Sequence, residues 1–555
     1  MEQLILLFLD PFRNVLEYVL MISLLGAGLW LSIRLGFLQF RRLRHGIAVV
    51  RGDFDDPDAP GDMTHFQALT TALSATVGIG NIAGVALAIH WGGPGAIFWM
   101  WVTAILGMAT KFSEVSLAQR FRVEMPDTDG KSGTVSGGPM HYIEQGLGKK
   151  WRPLALFFAF ALILAAFVSG NAIQANTISD LMHTVFGLSP WISGCVTAAV
   201  VGLVIIGGIS RIGRVTSYLA PSMAAIYVLG GITVIVLNAG EILPSIQLIF
   251  TEAFNPTAGV AGTGTGVFLQ TLLWGVRRGL FSNEAGQGSA PIAHSAAKTD
   301  EPVSEGVVAL LEPFIDTILI CSITALVILT TGVWKQTTPT TLALSSGDIS
   351  FVQQTDQGFE AVDPDFPLEL NIQNGIQQEG ATVLLAWHEV AIETFYVDAA
   401  RTELFSGKIR FPESGGVAVA MGADGKETTQ LHGQAVENGA PLTMWAYAEG
   451  LGSFGIYLVV FCVLLFGIST AISWSYYGDR CAIYLFGTKA ILPYRVIYVG
   501  MHFLGAILSL EVVWDLGDMA MSLGTIPNVI ALILLSGVVR KMSQEYFSKL
   551  PKKKA

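Results

Sequence analysis

The residues most suited to chemistry lie in Ser74–Gly84, where small polar residues and glycines interrupt an apolar segment at about 66–89. A helix within lipid must satisfy its own backbone groups, and glycine destabilises the middle of a helix. Gly78, Gly80 and Asn81 therefore predict a broken helix whose free N–H and C=O groups face a ligand inside the membrane. A face of small residues that lets another helix approach closely is the alternative.

A second interrupted segment, at 265–297, contains glycines and charged residues between Gly275 and Pro291. Charged groups are costly in hydrocarbon, so they indicate function by default. The alternative is that Arg278 and Glu284 form an ion pair where the segment leaves the membrane. Two interrupted segments, five spans apart, are typical of an inverted-repeat secondary transporter, in which broken helices surround a small charged substrate near the midplane.

The whole chain has the composition of an all-α polytopic membrane protein. Of its 555 residues, 52% are hydrophobic and 14% are charged, and the mean hydropathy is +0.55. Soluble domains contain about 25% charged residues. Apolar runs of about 20 residues match the length that spans a bilayer. They predict about eleven spans, at 14–34, 67–90, 95–120, 152–184, 190–209, 216–238, 265–297, 305–334, 445–476, 490–511 and 516–539.

Lys and Arg are concentrated in alternate loops, and cytoplasmic loops are the ones that hold such an excess. Arg41, Arg42 and Arg44 follow the first span, while Arg540 and Lys552–Lys554 follow the last. The N-terminus is therefore expected outside and the C-terminus in the cytoplasm of a bacterial-type inner (plasma) membrane. The first apolar segment has no evident cleavage site and is expected to remain as a helix.

The two interruptions divide the chain into two halves of five spans each, with the first span as an extra peripheral helix. The predicted divisions are 1–66 (extra helix and cytoplasmic loop), 67–238 (first repeat), 239–264 (external loop), 265–334 (start of the second repeat), 335–442 (insertion), 443–540 (rest of the second repeat) and 541–555 (basic cytoplasmic tail).

The polar region 335–442 has 15 acidic against 5 basic residues and is predicted to be a small β-rich extracytoplasmic insertion. Lys408–Phe411 and Val417–Met421 resemble strands, with turn signals at Ser346–Asp348 and Glu413–Gly416. A disordered acidic loop is the alternative, although apolar pieces such as 383–387 and 392–397 disfavour it.

Four motifs together resemble the alanine/glycine:cation symporter family: Ser74–Gly84, Trp91–Trp101, Gly279–Pro291 and Ser469–Gly478. The resemblance covers nearly all the membrane part, in the family's order. It implies a LeuT-like fold and inward transport of alanine or glycine with sodium. The region 335–442 departs from the compact family pattern without interrupting any of these motifs.

A zwitterionic amino acid presents a carboxylate and an ammonium group. Free N–H groups from Gly78 to Asn81 suit the carboxylate, and free C=O groups near Gly279 and Phe281 suit the ammonium. The resemblance implies the same placement. It also implies that Gln174 contacts the substrate, with interhelical hydrogen bonding as the alternative.

Thr470 and Trp474 are four residues apart and share one face of a helix. Thr470 is expected to hydrogen-bond the substrate, and Trp474 to fill the space that a larger side chain would need. Core packing or an interfacial anchor is the alternative for Trp474.

Similarity to the Val-Gly-x-Gly-Asn motif of LeuT-like amino-acid transporters implies a sodium site. Its ligands would be the backbone carbonyls of Ser74 and Val77 and the hydroxyls of Ser469 and Thr470. Hydroxyls that bond back to the preceding turn are the alternative. A proton could replace sodium, with Glu114 or Glu284 as its only evident carriers.

The leading hypothesis is a symporter with no cofactor other than its coupling ion; its partners are a small neutral amino acid and the lipid bilayer. Nucleic acid is not expected, and neither a phosphate loop nor a His-Glu-x-x-His zinc motif indicates an enzyme. The four cysteines show no metal spacing. A channel, and a sensor that binds a protein partner through 335–442, are the alternatives. Glu312 and Asp316 are predicted either as a gate or as structural partners of an arginine such as Arg278.

Overall fold

The computed structural model describes residues 2–56, 59–124, 135–256, 267–344, 349–355, 358–362, 364–378, 383–412, 418–508 and 510–550. Helices dominate it. The first half contains α1 (Glu2–Arg34), α2 (Leu38–Val50), α3 (His65–Thr76), α4 (Val85–Gly92), α5 (Ala96–Arg120), α6 (Pro139–His141), α7 (Arg152–Phe167), α8 (Ile173–Phe186), α9 (Pro190–Ile205), α10 (Gly208–Leu237) and α11 (Ile242–Glu252).

The second half is also helical, apart from one polar insertion between α16 and α17. Its helices are α12 (Val267–Asn283), α13 (Ala290–His294), α14 (Pro302–Ala309), α15 (Leu311–Pro313), α16 (Ser322–Thr331), α17 (Gly439–Leu451), α18 (Ser453–Phe486), α19 (Ile491–Ile507) and α20 (Leu510–Lys549).

Among the described residues, seven helices are long and apolar enough to cross a membrane, or up to nine if each bent pair is one span. The protein is therefore a polytopic helical membrane protein, as its composition predicts. Each of the eleven predicted segments overlaps a helix or a broken helix. The ninth differs in its bounds, because Gly452, at φ 59°, ends α17 and α18 begins only at Ser453.

The predicted break in the second span is present. Thr64 and Gln67 form a capping box that starts α3, and α3 ends at Thr76. A π-helical turn at Gly80–Gly84 then leads into α4, and the two halves meet at 55°. Single π turns within helices are frequent at functional sites.

The second break lies within the predicted stretch Gly275–Pro291, but later than Gly279 and Phe281, where free carbonyls were expected. α12 runs without interruption through Gly279 and Phe281 to Asn283. The chain then turns at Glu284, which has a φ of 54°, before α13 begins at Ala290. Pro291 in the first turn of α13 fits this position, since proline is tolerated at a helix start.

Three further π-helical segments occur among the described residues: Tyr142–Gly146 after α6, Val168–Ala172 between α7 and α8, and Phe314–Cys321 between α15 and α16. Phe314–Cys321 contacts α12 and Gly80–Gly84, whereas Val168–Ala172 contacts α18 and α20. Phe314–Cys321 therefore packs against the first break, and Val168–Ala172 against two helices that line the cavity at this break.

The insertion contains twelve short strands, which confirms its β-rich character within the described residues. Some predicted features lie outside the described residues: the turn signals Ser346–Asp348 and Glu413–Gly416, the tail residues Lys552–Lys554 and part of 239–264.

Two short strands precede the insertion, β1 (Val123–Glu124) and β2 (Val135–Ser136). The strands of the insertion are β3 (Thr338–Ala343), β4 (Ile349–Thr355), β5 (Gly358–Ala361), β6 (Leu368–Gln373), β7 (Ile376–Gln377), β8 (Leu384–Trp387), β9 (Val390–Ala391), β10 (Phe395–Tyr396), β11 (Gly407–Phe411), β12 (Val419–Gly422), β13 (Glu427–Thr428) and β14 (Gln430–Ala435).

These strands form three antiparallel sheets, in the orders β10-β14-β3, β13-β12-β11-β6-β7 and β5-β4-β8-β9. Strand β11 shows the alternation of a half-buried sheet: Ile409 is buried, whereas Lys408 and Arg410 are exposed and pair with Glu369. Hydrogen bonds from Lys408 and Arg410 lower the pKa of Glu369. The insertion has its own apolar core, which includes Phe395.

Candidate functional site

A small cavity of about 10 Å³ lies at the break between α3 and α4. It is lined by the end of α3, the break itself, the segment between α7 and α8, and helices α8, α12, α18 and α20. Six of the eight predicted substrate residues face it: Gly78, Gly80, Gln174, Phe281, Thr470 and Trp474. Ala75, Thr76, Ile79, Ser169, Glu284 and Met521 complete the lining.

The glycines of the break are required by close approaches. A Cβ atom added to Gly78 would lie 2.6 Å from the Thr470 hydroxyl oxygen, and one added to Gly80 would lie 3.1 Å from the Phe281 ring. The N–H of Gly78 is not free as predicted, because it donates to Asn81 Oδ1 at 2.8 Å. Asn81 thereby satisfies a backbone donor that the break would otherwise leave free.

The side chain of Asn81 points away from the cavity. Its Nδ2 donates to Asp316 Oδ1 at 2.5 Å and to Ser282 Oγ at 3.2 Å. Asp316, which is fully buried, also accepts from Ser282 at 2.6 Å and from Thr317 at 2.8 Å. Asp316 is thus a partner of the break and not of Arg278, whose guanidinium instead contacts Asp518 at 3.3 Å.

Gly279 also lies off the cavity. A Cβ added there would meet Thr103 and Met100 of α5 at 3.1 and 3.2 Å, so this glycine allows close packing of α12 on α5. The predicted free carbonyls are not found at this position, because the helix continues past it: the carbonyl of Leu280 accepts from the N–H of Glu284 at 3.0 Å.

Trp474 is 1% exposed and is held on both its edge and its face. Its Nε1 donates to Glu284 Oε1 at 3.0 Å, and Ser289 donates to the other carboxylate oxygen at 2.5 Å. The ring packs on Gly170, where an added Cβ would lie 2.2 Å from Trp474 Cγ. Glu284 is therefore a partner of Trp474, a role that the sequence indicated only as a charge within an apolar segment.

Gln174 lines the cavity, and its Nε2 donates to the carbonyl of Ser169 at 3.2 Å. Its buried Oε1 has no hydrogen-bond partner among the described residues. Asn171 and Asn176 on the same stretch instead bond to α19 and its end, through the carbonyls of Tyr498 and Gly505. The three amides thus divide into one that faces the cavity and two that join helices.

The predicted ion ligands meet where α3 packs on α18. The Ser74 hydroxyl bonds to the Ser469 hydroxyl and donates to its carbonyl at 3.2 Å. The Thr470 hydroxyl donates to the carbonyl of Ser74 at 3.2 Å. Val77, with ψ 87°, no longer has helical backbone angles. Its carbonyl therefore departs from the helical hydrogen-bond pattern. The cluster offers oxygen ligands, which hard cations prefer.

A chain of buried ionic groups, not anticipated from the sequence, lies beside the site. Glu305 contacts His65 of α3 and, at 2.5 Å, His294 Nδ1; His294 Nε2 contacts Glu312 at 2.6 Å, and Glu312 pairs with Lys111 at 2.9 Å. All five are at most 2% exposed. The chain ties together α3, α5 and the helices after the second break.

Broken helices around a buried polar cavity, in a polytopic helical protein, define the class of membrane transporters. Comparison with known families identifies the group within that class. The model of the sodium:alanine symporter family matches residues 2–355 and 417–555. This chain belongs to that family, which is a family of transporters and not of enzymes, as its motifs predicted.

Several named relatives are similar over most of the chain. The sodium/alanine symporter AgcS of Methanococcus maripaludis is 37% identical over 94% of this chain and 92% of its own length. The probable sodium/glutamine symporter GlnT of Bacillus subtilis is 30% identical over 95% and 87%. The putative sodium/proton-dependent alanine carrier YrbD of the same bacterium is 40% identical over 61% and 65%.

Proposed function

We propose that this protein is a secondary active symporter that imports alanine or glycine with sodium by alternating access. The observation that supports this most is the cavity at the α3–α4 break, which adjoins the oxygen cluster of Ser74, Ser469 and Thr470. One break would therefore serve both the amino acid and the ion.

The packing around the cavity supports a small substrate. In this conformation its space of about 10 Å³ is about that of one water molecule. Trp474 is fixed by Glu284 and by Gly170, so it cannot turn aside without breaking these contacts. Added side-chain volume in such a packed site costs about 1–3 kcal/mol, which favours alanine and glycine over larger amino acids.

Coupling would arise at Thr470. Its hydroxyl contacts the Ser74 carbonyl in the proposed ion site, and the same side chain lines the cavity opposite Gly78. A cation that orders the Ser74 and Thr470 oxygens would also order the substrate pocket. By linkage, the substrate would raise the affinity for the ion by the same factor.

The proposal includes the architecture that the motifs imply. It is a LeuT-like arrangement of two five-span repeats, 67–238 and 265–540, with α1 as an extra helix and 335–442 inserted in the second repeat. The positions of α3–α4 and α12–α13 support it, because each break opens one repeat. The N-terminus and the insertion would lie outside, and the C-terminus in the cytoplasm.

Coupling to protons is the second candidate. Glu284, at the second break, lines the cavity, and Asp316 bonds to Asn81 of the first break. Each break therefore has a buried carboxylate beside it. A relative is named as sodium/proton-dependent, which also favours this candidate. The two candidates share the substrate and differ only in the gradient that drives uptake.

The test is uptake of labelled alanine and glycine into proteoliposomes under an imposed sodium gradient, a pH gradient, or both. Sodium coupling predicts accumulation with the sodium gradient alone. Accumulation that ignores sodium and follows the pH gradient would establish the proton instead. No accumulation under any gradient, with binding retained, would favour the sensor alternative.

A further inference from the structure

The turn between β8 and β9 has an unfavourable sequence for its geometry. It consists of His388 and Glu389, between the paired residues Trp387 and Val390. Both turn residues have positive φ, at 52° and 62°. A two-residue hairpin turn of this type favours Asn-Gly, and other residues are strained in it. Strain of this kind is kept where surrounding contacts or function require it.

The turn rests on the broken helix. The main-chain carbonyl of His388 accepts a hydrogen bond from His90 Nε2 at 3.1 Å, and the two rings are 6.1 Å apart. His90 is fully buried and lies in the last turn of α4, the half of the helix that follows the break. His388 Nε2 is in turn 3.7 Å from Glu437, at the base of the insertion.

The contact continues to the wall of a second cavity. Next to His90, Trp91 stacks on Trp274 of α12, with ring centroids 5.9 Å apart. Trp274 lines a partly enclosed cavity of about 330 Å³, together with Asp518 and Ser522 of α20. Phe281 and Met521 line both this cavity and the substrate cavity, so the two adjoin, and we call the larger one the antechamber.

The family model matches the membrane part but leaves 356–416, and with it the β8–β9 turn, unmatched. The contact with His90 is therefore an addition to the family's framework. It joins that addition to α4, the helix half that follows the break at the substrate cavity.

We propose that the β8–β9 turn is an outer latch. It holds the end of α4 and, through Trp91 and Trp274, the adjoining part of α12 in the closed position. The antechamber opens fully only when the turn releases His90. Removing the contact shifts the population toward the open state, because only the closed state gains from it. The inference rests on the proposed function and on an external insertion.

The first test measures opening without transport. Ser522→Cys places a thiol at a buried position of the antechamber, in a background where the exposed Cys195 is replaced by serine. A membrane-impermeant maleimide is added from the insertion side. His90→Phe, which keeps the ring but removes the N–H donor, is expected to raise the labelling rate about tenfold.

His432→Ala is the matched control, because His432 lies in the same insertion and bonds to Thr341 instead of α4. It should leave the labelling rate unchanged. Equal rates for His90→Phe and its parent, with both proteins melting at the same temperature, would overturn the latch. This result would leave the proposed transport untouched, since the assay needs no gradient.

The second test locks the latch. His90→Cys with His388→Cys, joined by a short bifunctional thiol reagent, should lose sodium-driven alanine uptake and regain it when the linker is cleaved. Cross-linking Lys408→Cys to Met421→Cys, which are cross-strand partners within the insertion, should leave uptake intact. Uptake at the uncrosslinked rate by the locked protein would refute the latch while confirming transport.

Discussion

Thr470 donates its hydroxyl to the main-chain carbonyl of Ser74 at 3.2 Å, which ties α18 to the last turn of α3. The same hydroxyl would lie 2.6 Å from a Cβ at Gly78. One oxygen thus contacts the end of the helix, the break and the cavity. This single contact is the most direct link between the proposed ion site and the proposed substrate site.

Removing a hydroxyl from the oxygen cluster should weaken sodium dependence. For Ser469→Ala we expect the sodium concentration at half-maximal uptake to rise about tenfold, since one ligand worth about 1.4 kcal/mol is lost. Sodium titration of alanine uptake measures this. Ser475→Ala is the control, because within the described part of the chain the Ser475 hydroxyl bonds only back to Ile472 of its own helix. An unchanged titration would remove Ser469 from the ion site.

Shortening Trp474 should broaden selectivity. Trp474→Ala leaves space beside Gly170 and should let larger neutral amino acids compete with labelled alanine. Trp474→Phe retains most of the bulk and should change competition less. Competition by valine, leucine and glutamine provides the measurement. A selectivity identical to that of the parent protein would show that Trp474 does not limit the pocket.

A methyl group at Gly78 should block the site without unfolding the protein. Gly78→Ala places a Cβ 2.6 Å from Thr470 Oγ1, whereas Gly84→Ala in the same stretch meets only Arg278 Cδ, at an ordinary 3.7 Å. We expect loss of uptake for the first and near-normal uptake for the second. Similar activity of the two variants would contradict the close approach.

The buried ionic chain should be a stability element. Lys111→Met leaves Glu312 buried beside Glu114 with one cation fewer, and loss of one partner of a buried pair costs about 3–5 kcal/mol. Thermal unfolding in detergent should show a lower midpoint. The exposed Lys541→Met is the control. Adding Glu312→Gln should restore part of the loss, and a midpoint equal to the parent's would argue against the pair.

The stability of the insertion should depend on pH through Glu389. Burial raises the pKa of Glu389, so the folded state holds this proton more tightly than the unfolded state. The stability from this group is complete below the unfolded value of about 4.3 and falls as pH rises through the folded pKa. Glu389→Gln should therefore raise the unfolding midpoint at neutral pH but not at pH ~4. An equal difference at both pH values would contradict this.

The sequence was sufficient for features that depend on local residue types. The glycines and Asn81 of Ser74–Gly84 predicted a real break, because glycine within an apolar span has a local backbone consequence. The spacing of Thr470 and Trp474 predicted that both face the same side of their helix, because residues four apart lie about one helical turn apart. Both do line the cavity. The strand-like stretches Lys408–Phe411 and Val417–Met421 likewise overlap β11 and β12, because strand-forming residues bounded by turn signals are a local pattern.

Features that depend on distant partners were not accessible in this way. Glu305 and His65 are 240 positions apart, and nothing local marks them as neighbours. The second break lies at Glu284 and not at Gly279, because close packing against α5 explains the glycine at 279. The orientation of Asn81 toward Asp316 likewise depends on how two helices meet.

Helix α18 fixes the distance between the two proposed sites. Thr470 and Trp474 lie on an unbroken stretch of it, between the proposed ion and the space for the substrate side chain. Four residues at 1.5 Å each fix an axial separation of about 6 Å. An unbroken helix does not lengthen when neighbouring helices tilt. In the proposed alternating-access cycle, the distance between the cation and the substrate side chain would therefore stay constant while the surrounding helices move.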